Sequence, residues 1–105
     1  MRPIKTIMVV DEEKNVLDQV KTYLDQEDVL VITATDSRQA LSQLYRENEE
    51  TFDLILVNTR MPGSTTTSAL FSLKPTLKRL PSIPDDFLRK PFTKEQLLEF
   101  VKRNL

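Results

Sequence analysis

The sequence predicts an α/β domain built on a doubly wound parallel sheet. Three observations predict it. Strand-like and helix-like stretches alternate along the whole chain. The strand-like stretches are continuous apolar runs, which suits strands buried on both faces. Polar residues gather just after those runs, at the carboxyl ends of the strands, where open parallel sheets bind ligands.

Ile4 to Val10 reads as the first strand, with Ile7, Met8, Val9 and Val10 contiguous and Asp11, Glu12 and Glu13 ending it. Lys14 to Gln26 has helical period, with Val16, Leu17, Val20, Tyr23 and Leu24 on one face. Val29 to Thr33 is a second strand, rich in β-branched residues. Asp36 with Gln39 has the spacing of a capping box. The helix behind it carries Ala40, Leu41, Leu44 and Tyr45 on one face and runs to about Glu47, before the polar break Asn48-Glu49-Glu50. Phe52 to Val57 is a third buried strand, followed by Asn58-Thr59-Arg60. Next comes Met61-Pro62-Gly63, whose Pro-Gly pair suits the centre of a type II turn; Gly63 is the only glycine. Phe87-Leu88 and Phe92, around Lys90-Pro91, read as a last short strand and its exit. Thr93 with Gln96 is a second capping box. Leu97, Leu98, Val101 and Leu105 give the final helix its buried face, with Phe100 at the edge.

The middle, Ser64 to Pro84, leaves two placements open. Thr66 to Leu73 forms a short helix broken by Pro75, with Ala69, Leu70, Leu73 and Leu77 in helical register. Alternatively, Ala69 to Leu73 is the fourth strand, although Thr59 to Ser68 is tight for a parallel crossover. The strand is favoured, because Thr65-Thr66-Thr67 is a poor helix start.

At 105 residues the chain is expected to be a single domain, 1–105, and 39% hydrophobic against 30% charged residues is a globular balance. Without cysteine there is no disulfide, thiolate nucleophile or Cys-based zinc site; without histidine there is no Ser-His-Asp triad or phosphohistidine. A net charge of -1 supplies no field toward nucleic acid or an anionic membrane. Lys74, Lys78 and Arg79 form a modest basic cluster without the aromatic partners of a nucleic-acid site. No apolar run approaches the ~20 residues of a membrane span. Met1-Arg2-Pro3 leads straight into a strand, so no signal peptide is expected and the expected compartment is the cytoplasm.

The chemistry lies at three strand ends: Asp11, Glu12 and Glu13; Asn58, Thr59 and Arg60; and Lys90. Two carboxylates and a backbone carbonyl are what Mg²⁺ takes alongside its waters. A lysine facing them can neutralise a phosphoryl oxygen as a point charge. An aspartate at position 58 would complete the set as a nucleophile that forms an acyl phosphate.

Val-Val-Asp11-Glu12-Glu13, then Phe52-Asp53-Leu-Ile-Leu-Val-Asn58-Thr-Arg-Met61-Pro62-Gly63, then Asp86-Phe-Leu-Arg-Lys90-Pro91-Phe92-Thr93 closely resemble the receiver domain of two-component response regulators. The likeness covers Ile4 to Gly63 and Asp85 to Leu105 and implies a flavodoxin-like fold. It implies that Asp11 and Glu12 match the metal-binding acidic pair and that Arg60 offers its backbone carbonyl to the metal. Lys90 matches the lysine that contacts the phosphoryl group, ahead of a peptide to Pro91 that is usually cis. Ser72 matches the family's switch hydroxyl on the strand placement of the middle.

Two departures stand out. Asn58 occupies the position of the phospho-accepting aspartate, and a neutral amide is a very poor nucleophile that also removes an anion from the metal site. Mg²⁺ binding is therefore expected to be weak or absent, and Asp53, near the opposite end of its strand, is no substitute acceptor. The second departure is length. A full receiver needs roughly 40 residues between its third and last strands, and Thr59 to Asp86 supplies 28. About one helix is missing, taken to be the fourth.

Plainer readings exist for the same residues. Asp11, Glu12 and Glu13 also suit a solvated helix start, Lys90 a structural partner of Asp11 or of the Asn58 carbonyl, and Asn58 a hydrogen-bonded strand end. Three functions follow from the resemblance. The leading one is a non-enzymatic phosphorelay module that acts without phosphorylation, docking on a kinase, a regulator or a second copy through its final strand–helix face. The second is a phosphorylatable regulator with another acceptor residue. The third is a structural dimerisation domain. The chain ends after its last helix, so the response is expected to be delivered by contact.

Overall fold

The run Ile7-Met8-Val9-Val10 becomes the centre of the sheet, because all four side chains can be buried whichever face they point to. A computed structural model describes residues 5–25, 27–46, 52–60, 68–74 and 86–105. In it that run lies in β1 (Lys5–Val10) and all four residues are buried. Several expectations lie outside the described residues. They are Ile4 at the start of the first strand, Gln26 at the end of the first helix, the Tyr45 side chain, and the break at 48–50. The turn Met61-Pro62-Gly63, Thr65 to Thr67, and the stretch 75–85 with Pro75, Leu77, Lys78, Arg79 and the expected loss of a fourth helix also lie outside them.

The elements after β1 are α1 (Lys14–Leu24), β2 (Val29–Ala34), α2 (Ser37–Arg46), β3 (Leu54–Arg60), β4 (Ser68–Leu73), β5 (Asp86–Arg89) and α3 (Lys94–Asn104). They form one sheet in the order β2-β1-β3-β4-β5, the strand order of flavodoxin-like folds. The fold class is the shortened flavodoxin-like α/β architecture that the sequence predicts, with one correction. The sheet is not wholly parallel. β1 runs parallel to β2 and β3, whereas β4 is antiparallel to both β3 and β5. The cause is chain length. Seven residues (61–67) join Arg60 to Ser68, and a parallel crossover takes at least about ten to twelve. A chain that short can only turn back beside its own strand. Of the two placements for the middle, residues 68–73 take the strand.

Pairing with β4 also explains why β3 runs three residues past Val57. β1 supports β3 only as far as the pair Val10–Val57. Asn58, Thr59 and Arg60 stay extended by pairing with Leu70, Ala69 and Ser68. The strand end that carries the site therefore leans on β4 alone.

Helices cover the two faces unequally. One face packs Ile7, Val9, Val31, Leu54, Leu56 and Leu70 against Val16, Leu17, Val20 and Leu24 of α1 and Leu97, Phe100 and Val101 of α3. The other face packs Met8, Val10, Ala34 and Ile55 with Ala40 of α2. Each large apolar side chain so buried contributes about 1.5–3 kcal/mol against conformational entropy. Phe100 is fully buried, and Leu105 is 37% exposed; the roles expected for these two are reversed, because the face of α3 is set by Leu97, Phe100, Val101 and Asn104. The Thr93–Gln96 capping box forms in full. The Asp36–Gln39 box forms in a shifted version. Asp36 Oδ1 accepts the Gln39 N–H, but the Gln39 side chain reaches back to the N–H of Thr35. Among the described residues, no helix is long and apolar enough to cross a membrane.

Candidate functional site

Asp11 is held by the sheet before its side chain does anything. Its N–H donates to the carbonyl of Ala34, the last residue of β2, at 3.0 Å. Its Oδ1 accepts the Glu13 N–H at 2.9 Å, an Asx turn that steers the chain into α1. Glu13, at the N-cap, makes no side-chain cap of its own. The remaining oxygen, Oδ2, lies 2.7 Å from Lys90 Nζ. The Asp11 side chain is fully buried and that of Lys90 is 13% exposed, so this pair is desolvated. In such a pair, removing one partner strands a charge and costs far more than the pair itself contributes.

Lys90 reaches that position because β5 delivers it. Its N–H donates to the carbonyl of Ser68 at 3.1 Å, which closes the β4–β5 ladder at the carboxyl edge. The Lys90–Pro91 peptide is cis, the geometry that the resemblance implies.

Asn58 stands on β3 opposite Leu70, one residue beyond the last pair with β1. Side chains alternate along a strand, so Asn58 points to the same face as Leu54 and Leu56. Asp11, two residues beyond Val9, is brought to that face likewise. The Asn58 Oδ1 is buried and meets no donor among the described residues. A buried acceptor without a partner costs about 1–3 kcal/mol and is rare enough in native proteins to call for a reason. Glu12 is exposed, and Arg60, exposed as well, ends β3 opposite Ser68.

Thus Asp11, Asn58 and Lys90 come to one edge and one face, with Arg60 and Glu12 at the rim. Ser72 is not brought there. It pairs with Leu56 and Asp86, toward the opposite edge, because the antiparallel β4 runs away from the site. Its hydroxyl is buried against Asn104 Oδ1 (3.1 Å) and the Asp86 carbonyl (3.2 Å). The hydroxyl that does reach the site edge is Ser68, the first residue of β4. With Glu13, Val16, Gln19, Lys90 and Phe92 it lines a cleft of about 380 Å³. Sequence reasoning missed Ser68. The signal for it was the short connection after Arg60, which reverses the strand and presents its first residue instead of its last. Asp53 is remote from the site: Oδ2 accepts the Thr6 N–H at 2.7 Å and its own N–H donates to the Thr6 carbonyl.

The donor types here suit a hard cation such as Mg²⁺, being all oxygen, and the orphaned Asn58 Oδ1 is one of them. The charge does not suit it. The one buried carboxylate is already neutralised by Lys90, and position 58 adds no charge. No group of three or more His, Cys, Asp or Glu side chains able to hold a metal occurs among the described residues. The residues present therefore do not fit a tightly held divalent cation.

The model of the response regulator receiver domain family matches residues 7–84 of the chain. No solved structure matches it.

Proposed function

The chain belongs to the response regulator receiver domain family, and from that premise we propose that it is a receiver that signals without accepting a phosphoryl group. Receivers carry signals in two-component systems and are generally signalling modules that act on other proteins. The finer reading rests on one observation: the group at the carboxyl end of β3 is the amide of Asn58, beside a carboxylate that Lys90 has already neutralised. An amide oxygen does not displace a leaving group from a phosphodonor to give a stable acyl phosphate. Asp53, just before β3, is bound to Thr6 at the far edge. Asp11, Glu12 and the Arg60 carbonyl then form a metal site that binds Mg²⁺ weakly or not at all. Lys90 serves as an internal counter-ion instead of a phosphoryl contact.

A module with its Asp11–Lys90 pair closed has one standing conformation to offer, so its signal is its binding. The partner is a protein, namely a kinase, a regulator or a second copy, met through the face made by β5 and α3. The test is a titration of Mg²⁺ and then beryllofluoride into labelled protein, beside the Asn58→Asp variant. The expected result is a silent wild type and a variant whose amides shift at Asp11, residue 58 and Lys90. A wild type that responds at those residues overturns the reading. So does mass gain after treatment with a small phosphodonor, which would reveal another acceptor.

A further inference from the structure

At the edge of the sheet opposite the candidate site lies a second polar cluster, and every group in it is satisfied. Asn104, 6% exposed in the last turn of α3, donates from Nδ2 to the carbonyl of Phe100 (2.9 Å) and to Asp86 Oδ2 (3.0 Å). With both amide hydrogens facing acceptors, its oxygen has to face a donor, and that donor is the fully buried hydroxyl of Ser72. Asp86 takes Arg103 Nε at 2.6 Å on Oδ2 and the Phe87 N–H at 2.8 Å on Oδ1. The cluster ties the end of α3 to the last residues of β4 and the first of β5.

The strands it ties lack the usual source of register. In a tight hairpin the turn fixes which residues pair, and such turns have about two to five residues. Here β3 and β4 are joined by seven residues (61–67), and β4 and β5 by twelve (74–85). The alternation of β5, with Asp86 and Leu88 half-buried and Phe87 and Arg89 exposed, forbids a slip by one residue, which would exchange its faces, but tolerates a slip by two. A slip by two moves β5 about 7 Å along β4. That would separate the Lys90 N–H from the Ser68 carbonyl and carry Lys90 away from Asp11.

We infer that Ser72 and Asn104 are a register lock that positions Lys90. The lock acts through β5, whose four residues Asp86 to Arg89 are held at one end by Ser72 and Asn104 and at the other by Ser68. A slip of β5 along β4 carries Asp86 away from the Ser72 hydroxyl and the Asn104 amide that meet it in the native pairing, so the native pairing alone leaves none of these groups short of a partner. The inference takes the importance of Lys90 from the proposed function, but the lock itself needs no ligand.

The test is amide hydrogen exchange on the full chain, comparing Lys90 with Val9 and Leu56 of the central strands. In Ser72→Ala, exchange at Lys90 is expected to rise at least about tenfold more than at the central amides. Ser72→Thr, which keeps the hydroxyl, is expected to restore it. Should Ser72→Ala fail to fold, Asn104→Ala makes the same comparison from a helix end. Equal acceleration at all three amides, or none, overturns the lock and marks the cluster as ordinary stabilisation. Because neither metal nor beryllofluoride is present, failure here is separate from failure of the functional reading.

Discussion

The two edges of this sheet carry polar clusters of similar size and opposite character. At the amino edge, Ser72, Asn104, Asp86 and Arg103 answer one another's hydrogen-bonding groups. At the carboxyl edge, Asp11 and Lys90 are paired, but Asn58, on the same face, keeps a buried oxygen that meets no donor among the described residues. Ser72 and Asn104 at one edge and the Asp11–Lys90 pair at the other are desolvated, so both clusters are costly to disturb there. Native proteins leave a buried group unpaired mainly where something other than stability sets the residue. The difference fits the two proposed jobs: the satisfied cluster specifies the fold, and the unsatisfied one lies at the proposed site.

The comparison breaks most violently at the ion pair. Lys90→Met leaves Asp11 buried without its counter-ion, and is expected to cost about 3–5 kcal/mol in chemical denaturation. The double variant Asp11→Leu/Lys90→Met is expected to recover most of that loss, since no charge is then stranded. A Lys90→Met loss below about 1 kcal/mol would show that water reaches Asp11 and that the pair behaves as a surface one.

A smaller effect is expected at the other edge. Asn104→Ala removes one of the two acceptors facing the Ser72 hydroxyl, takes one partner from Asp86 and leaves the Phe100 carbonyl without the amide, for a loss of about 1–3 kcal/mol. The same denaturation experiment measures it. A loss within error would mean that water replaces the amide and that the cluster is not closed.

What could be read from the residues divides along a similar line. The continuous run Ile7 to Val10, the helical spacing of Val16, Leu17, Val20 and Leu24, and the Thr93–Gln96 box are local patterns, and the elements they predict are present. The motifs at the ends of β1, β3 and β5 foretold that Asp11, Asn58 and Lys90 share an edge, because strand order and direction place them. The direction of β4 escaped, although the count of residues after Arg60 contained it. That count is too small for a parallel crossover, so it requires the strand to reverse. With direction went the choice between Ser72 and Ser68. The Ser72–Asn104 contact, 32 residues apart in sequence, has no local signature at all. The same holds for the burial of Phe100, which depends on how α3 settles against β5.

Acid sharpens the contrast through Asp86. The Arg103 guanidinium, helped by the Asn104 amide and the Phe87 N–H and opposed by burial, holds the Asp86 carboxyl below the ordinary carboxylate range. A group whose pKa is lowered by folding contributes stability above its unfolded value and loses it as pH falls through its folded value. The contribution of Asp86 is therefore present at neutral pH and fades below about pH 4. It is modest, because Arg103 is half exposed and screened. Asp86→Asn is expected to flatten the acid limb of the melting temperature against pH while leaving its shape above pH 5 unchanged. An acid limb identical in wild type and variant would put the acid sensitivity elsewhere.

The smallest effect on stability is expected at Asn58, the residue on which the proposed function rests. Asn58→Leu keeps nearly the same shape and removes the orphaned oxygen. Replacing a buried polar group that has no partner by an apolar one is close to neutral or stabilising. The expected change is within about 1 kcal/mol of wild type, in either direction, by chemical denaturation. The variant is also expected to leave the Lys90–Asp11 contact in place, seen as an unchanged Lys90 side-chain resonance. A loss above about 2 kcal/mol would mean that the Asn58 amide is satisfied in solution and belongs with the fold-specifying groups of the other edge. With stability unchanged, no folding reason is left for an amide at that position. Asn58 would then be explained only by what the carboxyl edge binds, and a binding partner lost on Asn58→Leu with the fold intact would be bound there.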